Sequence, residues 1–247
     1  MVPAQSRRCP VHAILPLMIS WVTGEFKIGQ SRGLKVSLFV GHFAIAFLLI
    51  FLFPQVPVWV PLVGVSFPDL LWGVLILLGK EEVSVSKDSP LQRSIVFKKY
   101  PYSHSFVLTG GISIIAGGLL SVVLGSLITL PVFVLASSSH WLLDTVVHLA
   151  DLPVLGFDGD RKVGFGLWKW GRVAFLAELV LYVLFAVFFV KTSELLPVVA
   201  VGVLFHGINA NSFLGLSRKN PFGSPRTYAS VALAGFGVMS TILLLVL

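Results

Sequence analysis

The sequence predicts an all-α polytopic membrane protein: a helical bundle of about seven transmembrane helices with a cytoplasmic N-terminus. Of its 247 residues, 56% are hydrophobic and only 12% are charged, whereas soluble domains usually carry about 25% charged residues. Long apolar runs recur along the chain, and most approach the roughly 20 residues that a helix needs to cross a bilayer. The lysines and arginines are sorted to one side of these runs, which is typical of cytoplasmic loops.

Seven segments are apolar enough to be transmembrane helices. They are residues 34–53, 57–78, 103–124, 128–149, 172–190, 195–210 and 227–247. Little more than the sequence GSLITLP separates the third segment from the fourth, which predicts a tight hairpin around Pro131. The sixth segment is short, and we expect it to tilt or to end early.

The other segments are polar connections around a single transmembrane domain, residues 34–247. Residues 1–33 precede it as a cytoplasmic or interfacial arm, whose apolar stretch 11–23 is too short to span a bilayer. Residues 79–101 form the main polar loop, for which we expect a short amphipathic helix. Residues 150–171 form a second cytoplasmic loop.

Charge sets the predicted orientation of the bundle. With seven spans, every lysine and arginine except Lys191 falls on the side of the N-terminus, so this side is cytoplasmic. The same sorting explains the net charge of +7 without a nucleic-acid partner. The single cysteine, Cys9, excludes an intrachain disulfide and a CxxC metal site.

Ionisable side chains within the predicted spans are the main functional signal, because such groups are costly in a bilayer and rare. They lie between the cytoplasmic interface and a depth of about 15 Å, while the opposite half of the bilayer holds almost none. This layering predicts one polar pocket that opens to the cytoplasm. Its members are His42, Asp69, His104, His140, Asp144, His148, Glu178 and His206.

The stretch SSSHWLLDTVVHLAD, residues 137–151, carries four ionisable groups: His140, Asp144, His148 and Asp151. On a continuous helix these four side chains point within about 80° of one another. An imidazole and a carboxylate four residues apart can bind one metal ion, as in helical zinc sites. The pair can equally join two helices by hydrogen bonds. We expect Asp151 to lie in a solvated loop.

Five residues form the predicted metal site: His42, Asp69, His104, His140 and Asp144. Three imidazoles and two carboxylates suit zinc, the ion we expect first, and also manganese or iron. Structural roles stay open for three of these residues. His42 can be a packed histidine, and His104 can be part of a helix start. Asp69 can satisfy a backbone group that Pro68 leaves without its helical hydrogen bond. Glu178 and His206 can pair with each other or with Arg172.

Two neighbouring motifs have less specific readings. Ser103 and Ser105 flank His104, and we expect them to hydrogen-bond to the metal ligands rather than to act as nucleophiles. The glycines of GFGLW, residues 164–168, lack the spacing and context of a nucleotide-binding loop.

These motifs together resemble a family of small bacterial membrane proteins described as membrane-bound metal-dependent hydrolases. The shared pattern is a histidine in the first span, PD in the second, HS opening the third and HxxxD in the next. A closer group shares YPYSHS, SHWLLDTVVHLADLP, KVGFGLW and the glutamate of LAELVLY. The resemblance covers roughly residues 35–190 and implies a helical membrane bundle with metal-dependent hydrolase activity. The chain lacks the second aspartate often found after PD, which argues against a two-metal site.

The residues and the resemblance predict a hydrolase at the cytoplasmic side of the cell membrane, with a lipid or another amphipathic ester or phosphodiester as substrate. His148 or Glu178 would transfer protons. Anionic headgroups would be attracted by four basic residues, Lys98, Lys99, Arg161 and Lys162. Two alternatives stay open: a transporter or proton-coupled carrier with a His/Asp relay, and a scaffold with a structural metal site. The sequence predicts no oligomeric state.

Overall fold

A computed structural model describes residues 40–220 and 222–247, and helices dominate this part of the chain. Six of the helices are long and apolar enough to cross a membrane. The prediction of an all-α polytopic membrane bundle is therefore confirmed. In chain order the helices are α1 (His42–Leu52), α2 (Trp59–Leu77), α3 (Pro101–His104), α4 (Phe106–Val123), α5 (Thr129–Val147), α6 (Gly171–Phe189), α7 (Thr192–Leu214) and α8 (Pro225–Val246).

Helix α7 shows where the span prediction was wrong. The helix has 23 residues and extends beyond the predicted segment 195–210 at both ends. Its last turns carry His206, Asn209 and Asn211, which are buried within the protein. Because protein rather than lipid surrounds these polar side chains, their polarity does not end the helix. Residues 34–39 of the first predicted span, and the predicted arm 1–33, lie outside the described residues.

Helix α2 lies at the centre of the bundle and packs against α1, α5 and α8. At Gly64 an added Cβ would come within 2.6 Å of the Cβ of Ala136, so the glycine lets the backbones of α2 and α5 approach closely. The outer helices instead expose large apolar side chains, such as Leu119 and Val122 on α4 and Phe188 on α6. Such faces suit lipid contact.

Local signals explain two of the helix starts and one turn. The Ser105 hydroxyl accepts hydrogen bonds from the amides of Leu108 and Thr109 and caps α4. Ser224 caps α8 in the same way, with Pro225 at the first helical position. Gly125, in the left-handed region at φ +61°, ends α4 shortly before α5 begins and allows a tight hairpin.

The main polar loop contains a β-hairpin, so the amphipathic helix expected there was wrong. Strand β1 (Glu82–Ser84) pairs antiparallel with β2 (Val96–Lys99), and Val83 lies opposite Phe97. Both of these side chains are buried, while Glu82 beside the first and Val96 and Lys98 beside the second are exposed. This alternation has the period of a strand. The second loop holds two short paired strands, β3 (Leu152–Pro153) and β4 (Lys162–Val163).

Candidate metal centre

Four helices bring the five predicted ligands together, with the Asp144 carboxylate in the middle. Its Oδ1 lies 3.4 Å from Nε2 of His42. Its Oδ2 lies 3.3 Å from Nε2 of His140 and 3.6 Å from Nε2 of His104. Asp69 completes the cluster, because its two oxygens lie 3.4 Å from His104 Nε2 and 3.6 Å from His140 Nε2.

The ligand atoms fall into two overlapping groups, and in each group they lie within 4.8 Å of one another. One group is His42, His140 and Asp144, and the other is Asp69, His104 and His140. All five side chains are buried except Asp69, whose side chain is 18% exposed. A buried group of histidines and aspartates in this arrangement can hold a metal ion.

Distances and unsatisfied atoms test how well these residues fit a metal ion. A nitrogen and an oxygen bound to one tetrahedral zinc at about 2.0–2.1 Å are about 3.3–3.4 Å apart, close to the observed separations. Within the described part of the chain, His140 Nε2 and Asp144 Oδ2 are buried and make no hydrogen bond. Because buried polar atoms nearly always have a partner, a shared cation would account for both atoms. The cluster therefore fits a divalent ion.

The histidine rings are oriented by groups behind them. His140 Nδ1 lies 2.7 Å from the carbonyl oxygen of Val65, which can only accept a hydrogen bond. Nδ1 of His140 therefore carries a proton, and Nε2, the atom that a metal ion would bind, faces the two carboxylates. The His42 ring stacks on the His140 ring, with centroids 3.6 Å apart and planes inclined by 13°.

A chain of two hydrogen bonds orients His104, and it includes Glu81, which the sequence analysis did not predict. Nδ1 of His104 lies 2.8 Å from Ser103 Oγ, and this hydroxyl donates to Oε2 of Glu81 at 2.6 Å. Ser103 thus has the predicted hydrogen-bonding role, whereas Ser105 caps a helix. Glu81 is only 2% exposed, and burial raises the pKa of its carboxyl group. Glu81 lies 22 positions before Ser103 in a polar loop, and no sequence pattern links the two.

His148 lies beside the cluster although it is not on helix α5, as helical periodicity had predicted it to be. Helix α5 ends at Val147, and His148 has extended backbone angles of φ −64° and ψ 154°. Its Nε2 lies 3.8 Å from Asp144 Oδ2, and its Nδ1 lies 2.9 Å from Oδ1 of Asp151. The expectation of a solvated Asp151 was therefore wrong, because this carboxylate pairs with His148 and is only 26% exposed.

The glycine-rich stretch 164–168 holds His148 in place. The amide of Gly166 donates to the His148 carbonyl at 2.7 Å, and the Trp168 ring lies 4.4 Å from the His148 ring. Gly164 has φ +152°, and a Cβ there would collide with the same carbonyl oxygen. The glycines of GFGLW therefore have a structural reason, which is close approach of backbone to backbone.

A cavity of about 40 Å³ adjoins the cluster, which is room for about two or three water molecules. Ligand residues and His148 form its polar side, and aromatic side chains form much of the rest. The lining residues are His42, Asp69, His104, Asp144 and His148, with Trp72, Gln92, Phe97, Trp168, Tyr228, Ala232 and Phe236.

Glu178 and His206 form a separate buried pair. Glu178 Oε1 accepts a hydrogen bond from the amide of Gly41 at 3.3 Å, and Oε2 lies 3.8 Å from His206 Nδ1. His206 Nε2 donates to the carbonyl of Phe175 at 2.8 Å. Because Gly41 immediately precedes His42, Glu178 anchors the start of α1.

The four basic residues predicted to bind substrate lie elsewhere. Lys98 and Lys99 are exposed on β2, and Arg161 and Lys162 are exposed beside or on β4. None of the four lines the cavity as the described residues form it. Their attraction for anionic headgroups stays a prediction.

No protein-family model matches this chain, and neither a curated protein nor a solved structure matches it. The resemblance to membrane-bound metal-dependent hydrolases therefore stays a prediction. The chemistry of the site is a better guide to function than the fold.

Proposed function

We propose that this protein is a metal-dependent hydrolase of the cell membrane that acts at the cytoplasmic side. The supporting observation is the convergence of five nitrogen and oxygen ligand groups from four helices beside a small cavity that also contains an oriented histidine. Hydrolysis requires a way to activate water and a group that moves protons. The cluster can supply the first and His148 the second.

One divalent ion, with zinc the first expectation, would be held by His42, Asp69, His104, His140 and Asp144. The two ligand groups share His140, and the Nδ1 of this residue already bonds to Val65. A single remaining nitrogen lone pair can bond to only one ion at a time, which favours a mononuclear centre. The ion would supply Lewis-acid activation of water at neutral pH.

His148 is the residue best placed to move protons. Asp151 accepts the hydrogen of Nδ1, so Nε2 carries a lone pair on the side of the cluster. The Asp151 carboxylate also stabilises the charged ring after His148 takes up a proton. Glu178 is engaged with Gly41 and His206, so we assign the proton transfer to His148.

The size of the cavity limits what can enter. At about 40 Å³ it is far smaller than the roughly 300–1,000 Å³ of a typical small-molecule pocket. Only the scissile group of a substrate and the attacking water fit beside the ligands. We therefore propose an amphipathic ester or phosphodiester whose bulk stays outside this cavity.

Turnover of fluorogenic acyl esters and phosphodiesters by the detergent-purified protein tests the proposal. We expect activity that a chelator removes and zinc restores. His148→Gln should keep bound metal and lower kcat by about 10²–10⁴-fold, the usual contribution of a general acid or base. Glu178→Gln, also a buried polar substitution, should keep most of the activity if it folds.

Two results would contradict the hydrolase. A metal-loaded wild type with no turnover, and with substrate or proton flux in proteoliposomes, would support a carrier. A metal-loaded wild type with neither turnover nor flux would support a scaffold with a structural ion.

A further inference from the structure

We propose that Glu81 is a positioning residue that, through Ser103, fixes which ring nitrogen of His104 carries the proton. The inference rests on the proposed function, since it concerns how His104 is prepared to bind a metal ion. Glu81 lies in the polar loop after α2, outside the predicted spans and the five-ligand cluster.

Three hydrogen bonds hold the Glu81 side chain in a buried position. Oε1 accepts from the amides of Tyr102 and Ser103 at 2.8 and 3.0 Å, and Oε2 accepts from the Ser103 hydroxyl at 2.6 Å. All three partners are donors, which suits a carboxylate because it can only accept. Removing a carboxylate from water carries a substantial desolvation cost, so a role beyond filling space is expected.

The direction of the hydrogen bonds sets the state of His104. The Ser103 hydroxyl has one hydrogen, which it donates to Glu81. Its oxygen is then left to accept the hydrogen of His104 Nδ1, at 2.8 Å. Nε2 of His104 consequently carries the lone pair and faces the carboxylates of Asp69 and Asp144.

The neighbouring ligand His140 shows the same arrangement by another means. Behind its Nδ1 is the carbonyl of Val65, which can only accept. A serine hydroxyl can either donate or accept a hydrogen bond, so Ser103 alone does not determine which nitrogen of His104 carries the proton. Glu81 fixes the direction of this hydrogen bond, because its carboxylate accepts the single hydrogen of the Ser103 hydroxyl.

The variant Glu81→Gln tests this argument with almost no change of shape. The glutamine oxygen can still accept from the amides of Tyr102 and Ser103, but its NH₂ group would face the Ser103 hydroxyl as a donor. The hydroxyl hydrogen then finds an acceptor only at His104 Nδ1, which moves the ring proton to Nε2. A protonated Nε2 cannot bind a metal ion.

We expect Glu81→Gln to weaken zinc binding by about 10–100-fold, the usual effect of changing a group behind a metal-binding histidine. The matched control is Glu82→Gln, since Glu82 is the adjacent residue and is exposed. The control should bind zinc as the wild type does. Thermal unfolding of the metal-free proteins would show whether each variant keeps its fold.

A double-mutant cycle tests whether Glu81 affects zinc binding through Ser103 or independently of it. If Glu81 acts through Ser103, the double variant Glu81→Gln/Ser103→Ala should bind zinc no more weakly than the weaker single variant. If the two residues act independently, their losses should multiply.

The ring proton can be observed directly by ¹⁵N NMR of histidine-labelled, metal-free protein, with the His104 signals assigned by their loss in His104→Gln. We expect the Nδ1–H form in the wild type and the Nε2–H form in Glu81→Gln. An unchanged ring form together with unchanged zinc affinity in Glu81→Gln would overturn the inference. A wild type that binds no metal would contradict the proposed function, while the ring proton would still report whether Glu81 orients His104.

Discussion

The described part of the chain contains two buried groups of histidines and carboxylates, and they differ in how many side chains converge. In the cluster around Asp144, four imidazole Nε2 atoms lie within 3.8 Å of one carboxylate. The Glu178–His206 pair has one imidazole and one carboxylate, and backbone groups of Gly41 and Phe175 take up a further atom of each. The first arrangement gathers nitrogen atoms from several elements around one carboxylate, whereas the second is held by hydrogen bonds to backbone groups.

The number of side chains that converge distinguishes a candidate metal site from a polar contact between helices. Both groups contain the same residue types at similar predicted depths in the membrane. As far as the structure describes the chain, each group also has buried atoms without a hydrogen-bond partner, namely His140 Nε2 and Asp144 Oδ2 in the cluster and Glu178 Oε2 and His206 Nδ1 in the pair. Among the described residues, however, the Asp144 cluster brings five possible ligand groups together and adjoins a cavity, which the pair does not line. The number of converging ligand groups beside a cavity, rather than the presence of ionisable residues, therefore marks the candidate metal site.

The largest expected effect is the loss of metal-dependent stability in Asp144→Asn. An ion that binds only the folded state stabilises it by about 4 kcal/mol at 1,000 times its dissociation constant. Added zinc should therefore raise the thermal midpoint of the wild type and of Glu178→Gln, but not that of Asp144→Asn. An equal rise of the thermal midpoint in Asp144→Asn would show that the Asp144 cluster does not bind the ion.

The substitution Gly164→Ala should disturb the Asp144 cluster by displacing His148. In Gly164→Ala the new Cβ collides with the His148 carbonyl, and the residue must also adopt φ +152°. Backbone strain of this kind costs about 1–3 kcal/mol. Denaturation of the purified variant should show this loss, and turnover should fall with the displacement of His148.

Gly159→Ala is the matched control for Gly164→Ala. It also has a positive φ of +77°, but its added Cβ meets no atom within 4 Å. Its loss of stability should be the smaller of the two, and its turnover should equal that of the wild type. Equal losses in the two variants would show that the contact with His148 has no importance.

The Glu178–His206 pair should affect stability and leave the metal in place. Glu178→Ala removes the acceptor of the Gly41 amide, and a buried donor without a partner costs about 1–3 kcal/mol. We expect a lower thermal midpoint with unchanged metal stoichiometry. Loss of the ion from a folded Glu178→Ala protein would show that this pair belongs to the metal centre.

The smallest effect on the metal centre is expected from the exposed basic residues. Replacing Lys98, Lys99, Arg161 and Lys162 together by alanine should leave zinc affinity unchanged, since none of them lines the cavity. Binding of anionic amphiphiles should weaken, by about 1 kcal/mol per charge near a membrane surface, and added salt should reduce the difference. Equal binding of anionic and zwitterionic amphiphiles by the wild type would refute the predicted role.

Much of the bundle was predictable because bilayer thickness dictates helix length. Apolar runs near 20 residues located the long helices to within a few residues. The end of α5 was not predictable from periodicity, since a tight backbone contact of Gly164 with His148 lies behind it. The β-hairpin in the main loop was also missed, because its strands have only three and four residues.

The five residues of the cluster were recognisable from the sequence because ionisable residues in spans are rare, although their role as metal ligands stays a prediction. The groups that orient them were not recognisable, for two physical reasons. The Val65 carbonyl is backbone and leaves no sequence signal. Glu81 and Asp151 lie in loops, where a carboxylate is expected to be solvated, and only tertiary packing buries the first and pairs the second.

The most direct test of the central claim is the metal content of the detergent-purified protein, measured by mass spectrometry for the wild type, His140→Ala and Glu178→Gln. The account predicts about one equivalent of zinc, manganese or iron in the wild type and in Glu178→Gln, and none in a folded His140→Ala. A folded wild type that stays empty after all three metals are supplied would contradict it, and the Asp144 cluster would then be a proton relay or a contact between helices.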